Sequence, residues 1–195
     1  MHEIALFVED QAHYEFLKAL IHRLEREHSI EVELTWQNVR RGHGMVIREL
    51  RQYLRDLQRG HGGFPDLVIV ATDANCKGRA EKLREITEIT GKVTARVICA
   101  IPNPHIERWL LLDSAAFKSV FDRGCDVPDQ KCERRRYKKM LMDAILQAGI
   151  SPSLGGIEFA DEIVDAMDLE RTAQADDSLG HFIMELQAVF QGWRQ

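Results

Sequence analysis

At 195 residues, 45% of them hydrophobic and 29% charged, the chain carries apolar material for one principal core and a small appendage. Its formal net charge of −5 excludes attraction of the whole protein to nucleic acid, so any phosphate contact has to come from a local basic patch. Cys76, Cys99, Cys125 and Cys132 form no CxxC pair, and Cys99 sits in a strand-like run, a pattern that favours a reducing cytoplasm over a disulfide framework or a zinc site.

The first element is "IALFV", a short continuous apolar run of the kind that marks a strand covered on both faces. "HYEFLKALIHRL" then sets Phe16 or Leu17, Leu20, Ile21 and Leu24 on one helical face. "EVELTW" alternates like a half-buried strand, and after "QNVRRGHG" the spacing of Val46, Ile47, Leu50, Tyr53, Leu54 and Leu57 is helical again. "DLVIVAT" predicts a third strand, "KGRAEKLREITEIT" a charged helix closed by Gly91, and "ARVICAIP" a fourth strand. Asn103-Pro104 fits an N-cap followed by proline at the first helical position, opening "HIERWLLLD" as a short helix. A loop, a helix with a basic start ("RRRYKKMLMDAILQAG"), the acidic segment "ADEIVDAMDLE" and a final helix striped by Leu179, Phe182, Ile183, Leu186, Val189, Phe190 and Trp193 complete the chain.

Strand-helix alternation of this length predicts an α/β fold with a mostly parallel central sheet flanked by helices, residues 1–113, and a helical extension, 114–195, packed on it. No signal peptide precedes the first strand and no apolar stretch has the length to cross a bilayer, so a soluble cytoplasmic protein without a membrane partner is expected.

In a parallel sheet the residues just past the strand C-termini gather along one edge. Glu9 follows strand one, Asp73 and Asn75 follow strand three, and Glu107 follows strand four; Arg40, Arg41 and His43 follow strand two. Each has a plainer reading. Asp10 is most simply the N-cap of the first helix, Asp73 and Asn75 divide evenly between caps and ligands, and Glu107 suits a first helical turn whatever its chemistry. Arg40-Arg41 suits a solvated pair, and His43 and His105 suit loop and surface positions. The convergence of Glu9 with Asp73-x-Asn75 is what points to function.

"LFVED" followed by a helix, and then "VIVATDAN", resembles the Toprim domain of topoisomerases, bacterial primases and overcoming-lysogenization-defect nucleases, in which a glutamate after strand one and an Asp-x-Asp after strand three hold magnesium. "AIPNPHIERWLLLD" and "ADEIVDAMDLERT" look like the Toprim-related family called domain of unknown function 4276, often encoded beside an AAA-type or ABC-type ATPase. The resemblance maps the motif glutamate onto Glu9 and the first motif aspartate onto Asp73; Asp10 stands where many Toprim domains have glycine, and Asn75 where a second aspartate is expected. It implies a Toprim-like fold and a phosphodiester-processing nuclease of a defence-type system, dependent on weakly bound Mg2+ or Mn2+. The metal ligands implied are Glu9, Asp73 and Asn75, with Glu9, Asp73 and Glu107 as the catalytic acids.

Nucleic acid would be held by Arg40, Arg41, His43, Arg79, Arg134 and Arg135. The basic run from Lys131 to Lys139 reads equally as a solvated helix face or a partner surface. The partners implied are nucleic acid and an AAA-type or ABC-type ATPase, with a homo-oligomer left open. The alternative is a degenerate Toprim scaffold, without catalysis, that binds and regulates the ATPase, a reading that Asn75 favours.

Overall fold

The structure is a computed structural model that describes residues 1–38, 43–91 and 94–194, the side chains of residues 37, 38 and 43 excepted. Arg40 and Arg41 therefore lie outside the described residues, and of His43 only the backbone is described.

The apolar runs form β1 (His2–Val8), β2 (Val32–Asn38), β3 (Leu67–Ala71) and β4 (Val97–Ala100). They pair in the order β2-β1-β3-β4, every pair parallel. All five residues of β3 are buried, as its uninterrupted apolar run requires, whereas β2 buries Val32, Leu34 and Trp36 only in part, as its alternation requires. The crossovers are α1 (Gln11–His28), α2 (His43–Gln58) and α3 (Arg79–Thr90), the last closed by Gly91.

The sheet separates two apolar clusters because alternate residues of a strand point to opposite faces. Ala5 and Phe7 of β1 with Val68 and Val70 of β3 pack against Val46, Leu50 and Leu54 of α2 and Ile86 of α3. Ile4, Leu6 and Ile69 face α1 and the C-terminal helices instead. These are α4 (Ile106–Leu110), α5 (Ser114–Phe121), α6 (Arg136–Gln147), α7 (Ala160–Ala166), α8 (Leu169–Ala175) and α9 (Asp177–Trp193). The core runs without interruption from β1 and α1 through Trp109 and Phe117 to Phe182 and Phe190, so the C-terminal helices share the core of the sheet. The predicted stripe on α9 is buried from Leu179 to Phe190. Helices α8 and α9 approach so closely that a Cβ on Gly180 would lie 2.4 Å from the carbonyl oxygen of Ala173.

Two sequence expectations fail locally. Asn103 does not cap α4: Asn103-Pro104 forms a cis peptide in a bend, and the helix starts at Ile106 with its first N–H taken by Asp73 Oδ1 at 2.9 Å. The cap comes from the loop after β3, which local sequence does not reveal. Second, Cys76 and Cys132 form a disulfide with Cα atoms 5.4 Å apart, against the expectation of no disulfide. The fold brings together two loops 56 residues apart, a pairing that spacing alone cannot show. Cys99 and Cys125 are free thiols, Cys99 buried as its strand position predicts, and burial pushes their pKa values up to about 12 and about 11. Among the described residues no helix is long and apolar enough to cross a membrane.

Candidate functional site

Strand order places the site. From β1 the chain crosses to β2 on one side, and from β3 to β4 on the other, so the direction of winding reverses between β1 and β3, where ligands of open α/β sheets bind. The register pairs Val8 with Ala71, and the backbone N–H of Glu9 extends the ladder to Ala71 O at 3.0 Å. Glu9 and Thr72-Asp73 therefore leave the sheet side by side. Glu9 Oε2 accepts the Thr72 hydroxyl at 2.5 Å and the backbone N–H of Asp73 at 3.1 Å, and its Oε1 has no hydrogen-bond partner among the described residues.

Asp73 is the hub. Its Oδ1 accepts the N–H of Ile106 and its Oδ2 pairs with His105 Nδ1 at 2.8 Å. His13, fully buried on α1, sets Nε2 3.2 Å from Asp73 Oδ1, an ion-pair distance but out of line for a hydrogen bond, and Nδ1 2.7 Å from Asp10 Oδ1. Burial alone would lower the pKa of His13, but Asp73 and Asp10 overcome that and raise it well above the ordinary histidine value. Burial likewise opposes ionisation of Asp73, and His13 and His105 overcome it, leaving the carboxyl below its usual range. The hydrogen bond to Asp73 raises His105 despite its burial. Asp10 caps α1 by accepting from Ala12 N and His13 N, and with His13 beside it its carboxyl is lowered to about 2 in spite of desolvation.

Glu107 lies in the first turn of α4, and burial, then the charge of Asp73, raise its pKa above the ordinary glutamate value. Asn75 opens a 3-10 turn, Asn75–Lys77, with φ 51; its side-chain N–H reaches Asp73 O at 3.3 Å and its backbone N–H reaches Pro104 O. Its side-chain oxygen has no hydrogen-bond partner among the described residues.

Arg79 begins α3 behind Gly78, half-buried, and its Nε has no hydrogen-bond partner among the described residues. Arg134 and Arg135 are exposed in the loop before α6. That loop is tied to the edge by the Cys76–Cys132 bond and by Tyr137, whose ring centroid lies 6.0 Å from that of His105. Part of the basic run is internally paired, since Asp129 takes both Lys131 and Arg136.

The structure therefore brings Glu9 and Asp73 together, with Asn75 beside Asp73 and Glu107 within electrostatic reach of it. His13 and His105 are the site residues that sequence reasoning underweighted. His13 could have been found from its position three residues after the capping Asp10, on the buried face of α1; nothing local marks His105 as a partner of Asp73.

Magnesium usually binds through one or two carboxylates with water and substrate phosphate, so the absence of any closed group of three His, Cys, Asp or Glu side chains among the described residues does not bear against it. The donor set fits. Glu9 Oε1 has no hydrogen-bond partner among the described residues, and Asp73 Oδ2 keeps one of its two lone-pair positions beside His105. Soft donors are missing from the set, which suits Mg2+ or Mn2+ rather than zinc.

An all-parallel sheet in the order β2-β1-β3-β4, flanked by helices, defines the class as an α/β protein. The chain belongs to the family described as domain of unknown function (DUF4276), whose model matches residues 8–187. Comparison with curated proteins and with solved structures finds no match.

Proposed function

We propose that this chain is a Toprim-like protein that processes phosphodiester bonds of nucleic acid at the β1/β3 edge, working with an AAA-type or ABC-type ATPase. The observation that carries the reading is the arrival of Glu9 and Asp73 side by side at the winding reversal, with Glu107 in the first turn of α4 raised by burial and then by the charge of Asp73. Glu9, Asp73 and the side-chain oxygen of Asn75 would hold Mg2+ or Mn2+. When bound, the ion stabilises charge on the phosphate and lowers the pKa of an attacking water.

The chain's own residues do the rest. Thr72 and the Asp73 N–H fix Glu9 Oε2 and so aim the carboxylate, leaving Oε1 to hold a proton of the attacking water. His105, held by Asp73 through Nδ1, steadies that carboxylate at the edge, its own Nε2 being buried. The loop carrying Arg134 and Arg135 supplies positive charge for the strand. The test is cleavage of DNA or RNA with and without Mg2+ or Mn2+. Activity should require the metal and fall by two or more orders of magnitude, roughly, in Glu9→Gln and in Asp73→Asn. Metal-independent cleavage, or equal rates in folded Glu9→Gln, would overturn it.

One observation favours a second reading, a scaffold that binds and regulates the ATPase without catalysis. Asp73 accepts from Ile106 N and His105 and sits against His13, the pattern of an acid spent on holding α1, β3 and α4 together. Under that reading the isolated chain cleaves nothing and binds its ATPase equally well as Glu9→Gln.

A further inference from the structure

The Cys76–Cys132 disulfide joins a fixed side to a loose one. Cys76 directly follows Asn75 in the 3-10 turn at the acid edge, and Ala74 N to Pro102 O at 2.9 Å and Asn75 N to Pro104 O at 3.0 Å pin that turn to the 102–104 segment. Cys132 lies in residues 122–135, between α5 and α6, which contain no helix or strand. Part of this segment is anchored, since the hydroxyl of buried Tyr137 accepts from Lys131 N and donates to Asp129 O. Beyond Lys131 the ties change. Among the described residues no polar contact of Glu133, Arg134 or Arg135 reaches further than Lys131 on one side and Lys139 on the other, so the Cys132 sulfur is what joins this stretch to the edge.

The backbone of that stretch is constrained. Arg135 stands at φ 63, in the left-handed region, at the start of α6 and without a side-chain cap, a conformation that glycine or asparagine adopts readily and arginine does not. Such a residue persists when its surroundings hold it, and here they are a helix on one side and a disulfide on the other. Both cysteines are exposed, so a thiol in solution can reach the bond. The free thiols stay out of the exchange. Burial pushes Cys99 up to about 12 and Cys125 up to about 11, which keeps both protonated at neutral pH.

We infer that Cys76–Cys132 is a reversible thiol–disulfide site, a latch that sets the position of Arg134 and Arg135 against the acid edge. A dithiol supplies the chemistry. One of its thiolates attacks the Cys132 sulfur and displaces the Cys76 thiolate; its second thiolate then breaks the mixed disulfide, and two electrons and two protons pass from the dithiol to the cysteine pair. Cys76 stays with its turn, which keeps the bonds to Pro102 and Pro104, so the 132–135 stretch is the part released. The latch is read from the chain's own bonds; only its use, to hold or withdraw positive charge that a nucleic-acid strand would meet, rests on the proposed function.

The experiment is limited trypsin digestion of the full-length protein, oxidised or reduced with dithiothreitol, below the melting temperature of each state, with thiols counted by alkylation and mass spectrometry. Cleavage after Arg134 and Arg135 should rise about tenfold or more on reduction, the expected effect of a local opening, while cleavage after Arg23 and Arg26 in α1 stays unchanged. Reoxidation should restore the protection. Cys132→Ser should be cut after Arg134 and Arg135 at the reduced rate with or without dithiothreitol. A bond that dithiothreitol leaves intact in the folded protein, equal cutting of the two states, or protection that does not return on reoxidation overturns the inference. So does a parallel rise at Arg23 and Arg26, which would mark general loosening and no latch. Glu9→Gln should show the same protection and release as the wild type, so failure of the latch and failure of the catalytic reading are read separately.

Discussion

Asp10 and Asp73 are both acids at strand ends, yet their surroundings give them different work. Asp10 accepts two N–H groups of α1 and is the plain N-cap, so Asp10→Ala should cost about 1 kcal/mol through the cap, with a further loss because His13 keeps only Asp73 for its charge. Chemical denaturation should show that loss, while calorimetric titration of Mg2+ or Mn2+ should show binding retained, since Asp10 is not in the donor set. Glu158 gives a pH dependence outside the site. Burial, the largest single cause, raises its pKa, but Glu158 accepts the N–H groups of Ser153, Leu154 and Gly156, and such hydrogen bonds together overcome burial and bring the pKa from 4.5 to about 2. A depressed folded-state pKa means that the contribution is full above pH 4.5 and disappears as the pH falls to about 2. The wild type should therefore lose thermal stability across that window more steeply than Glu158→Gln, the two melting temperatures converging at its acid end; parallel curves would refute the role. Glu9 and Asp73 were legible in the sequence because each closely follows an apolar strand run, and Glu107 because it falls in the helix that follows β4. Their partners were not, since His13, His105 and the N–H of Ile106 reach Asp73 only through tertiary contact.

Elements were read more reliably than their ends, for a physical reason. The apolar period that defines β1, β3 and α9 is set by burial and repeats along the segment, whereas an end is set by whatever group satisfies the last free N–H or C=O. At α4 that group is Asp73, and the local signal at Asn103-Pro104 placed the start too early. Several features of the C-terminal half are likewise cross-links between elements. Asp113 caps α5 and also accepts the N–H of Asp168 and the guanidinium of Arg171, joining α5 to α8, while Arg108 with Asp176 joins α4 to α9. These residues carry much of the "HIERWLLLD" and "DLERT" pattern, so part of that pattern is accounted for by architecture. The Cys76–Cys132 bond is a further cross-link, closing a span of 56 residues between the β3 loop and the loop before α6. Chain-entropy arithmetic for such a loop gives about 4 kcal/mol. Cys132→Ser should lower the melting temperature of the oxidised protein, and a reductant should lower that of the wild type to the same level while leaving the variant unchanged. Indifference of the wild type to reductant would show that the bond is not formed in solution.

For the molecule as a whole, the deciding issue is whether acids converging at a winding reversal perform chemistry or only hold the fold. Both readings keep Asp73 indispensable, because its loss strands the buried His13 and uncaps α4, so Asp73 variants cannot separate them. Glu9 can. Its contacts are Thr72 and one backbone N–H, both of which a glutamine oxygen still accepts, so Glu9→Gln keeps the shape of the edge while removing the charge that would hold a metal or a proton. The measurement is nucleic-acid cleavage, or toxicity in cells, by the chain together with its ATPase at matched expression of wild type and Glu9→Gln. Using the pair matters because an ATPase that gates access to the edge would leave the isolated chain silent under either reading. If the edge is catalytic, Glu9→Gln in the pair should abolish cleavage while co-purification with the ATPase is unchanged. Equal activity of the two pairs would leave the scaffold, and the four acids Glu9, Asp10, Asp73 and Glu107 would then be read as caps and cross-links of the sheet's C-terminal edge.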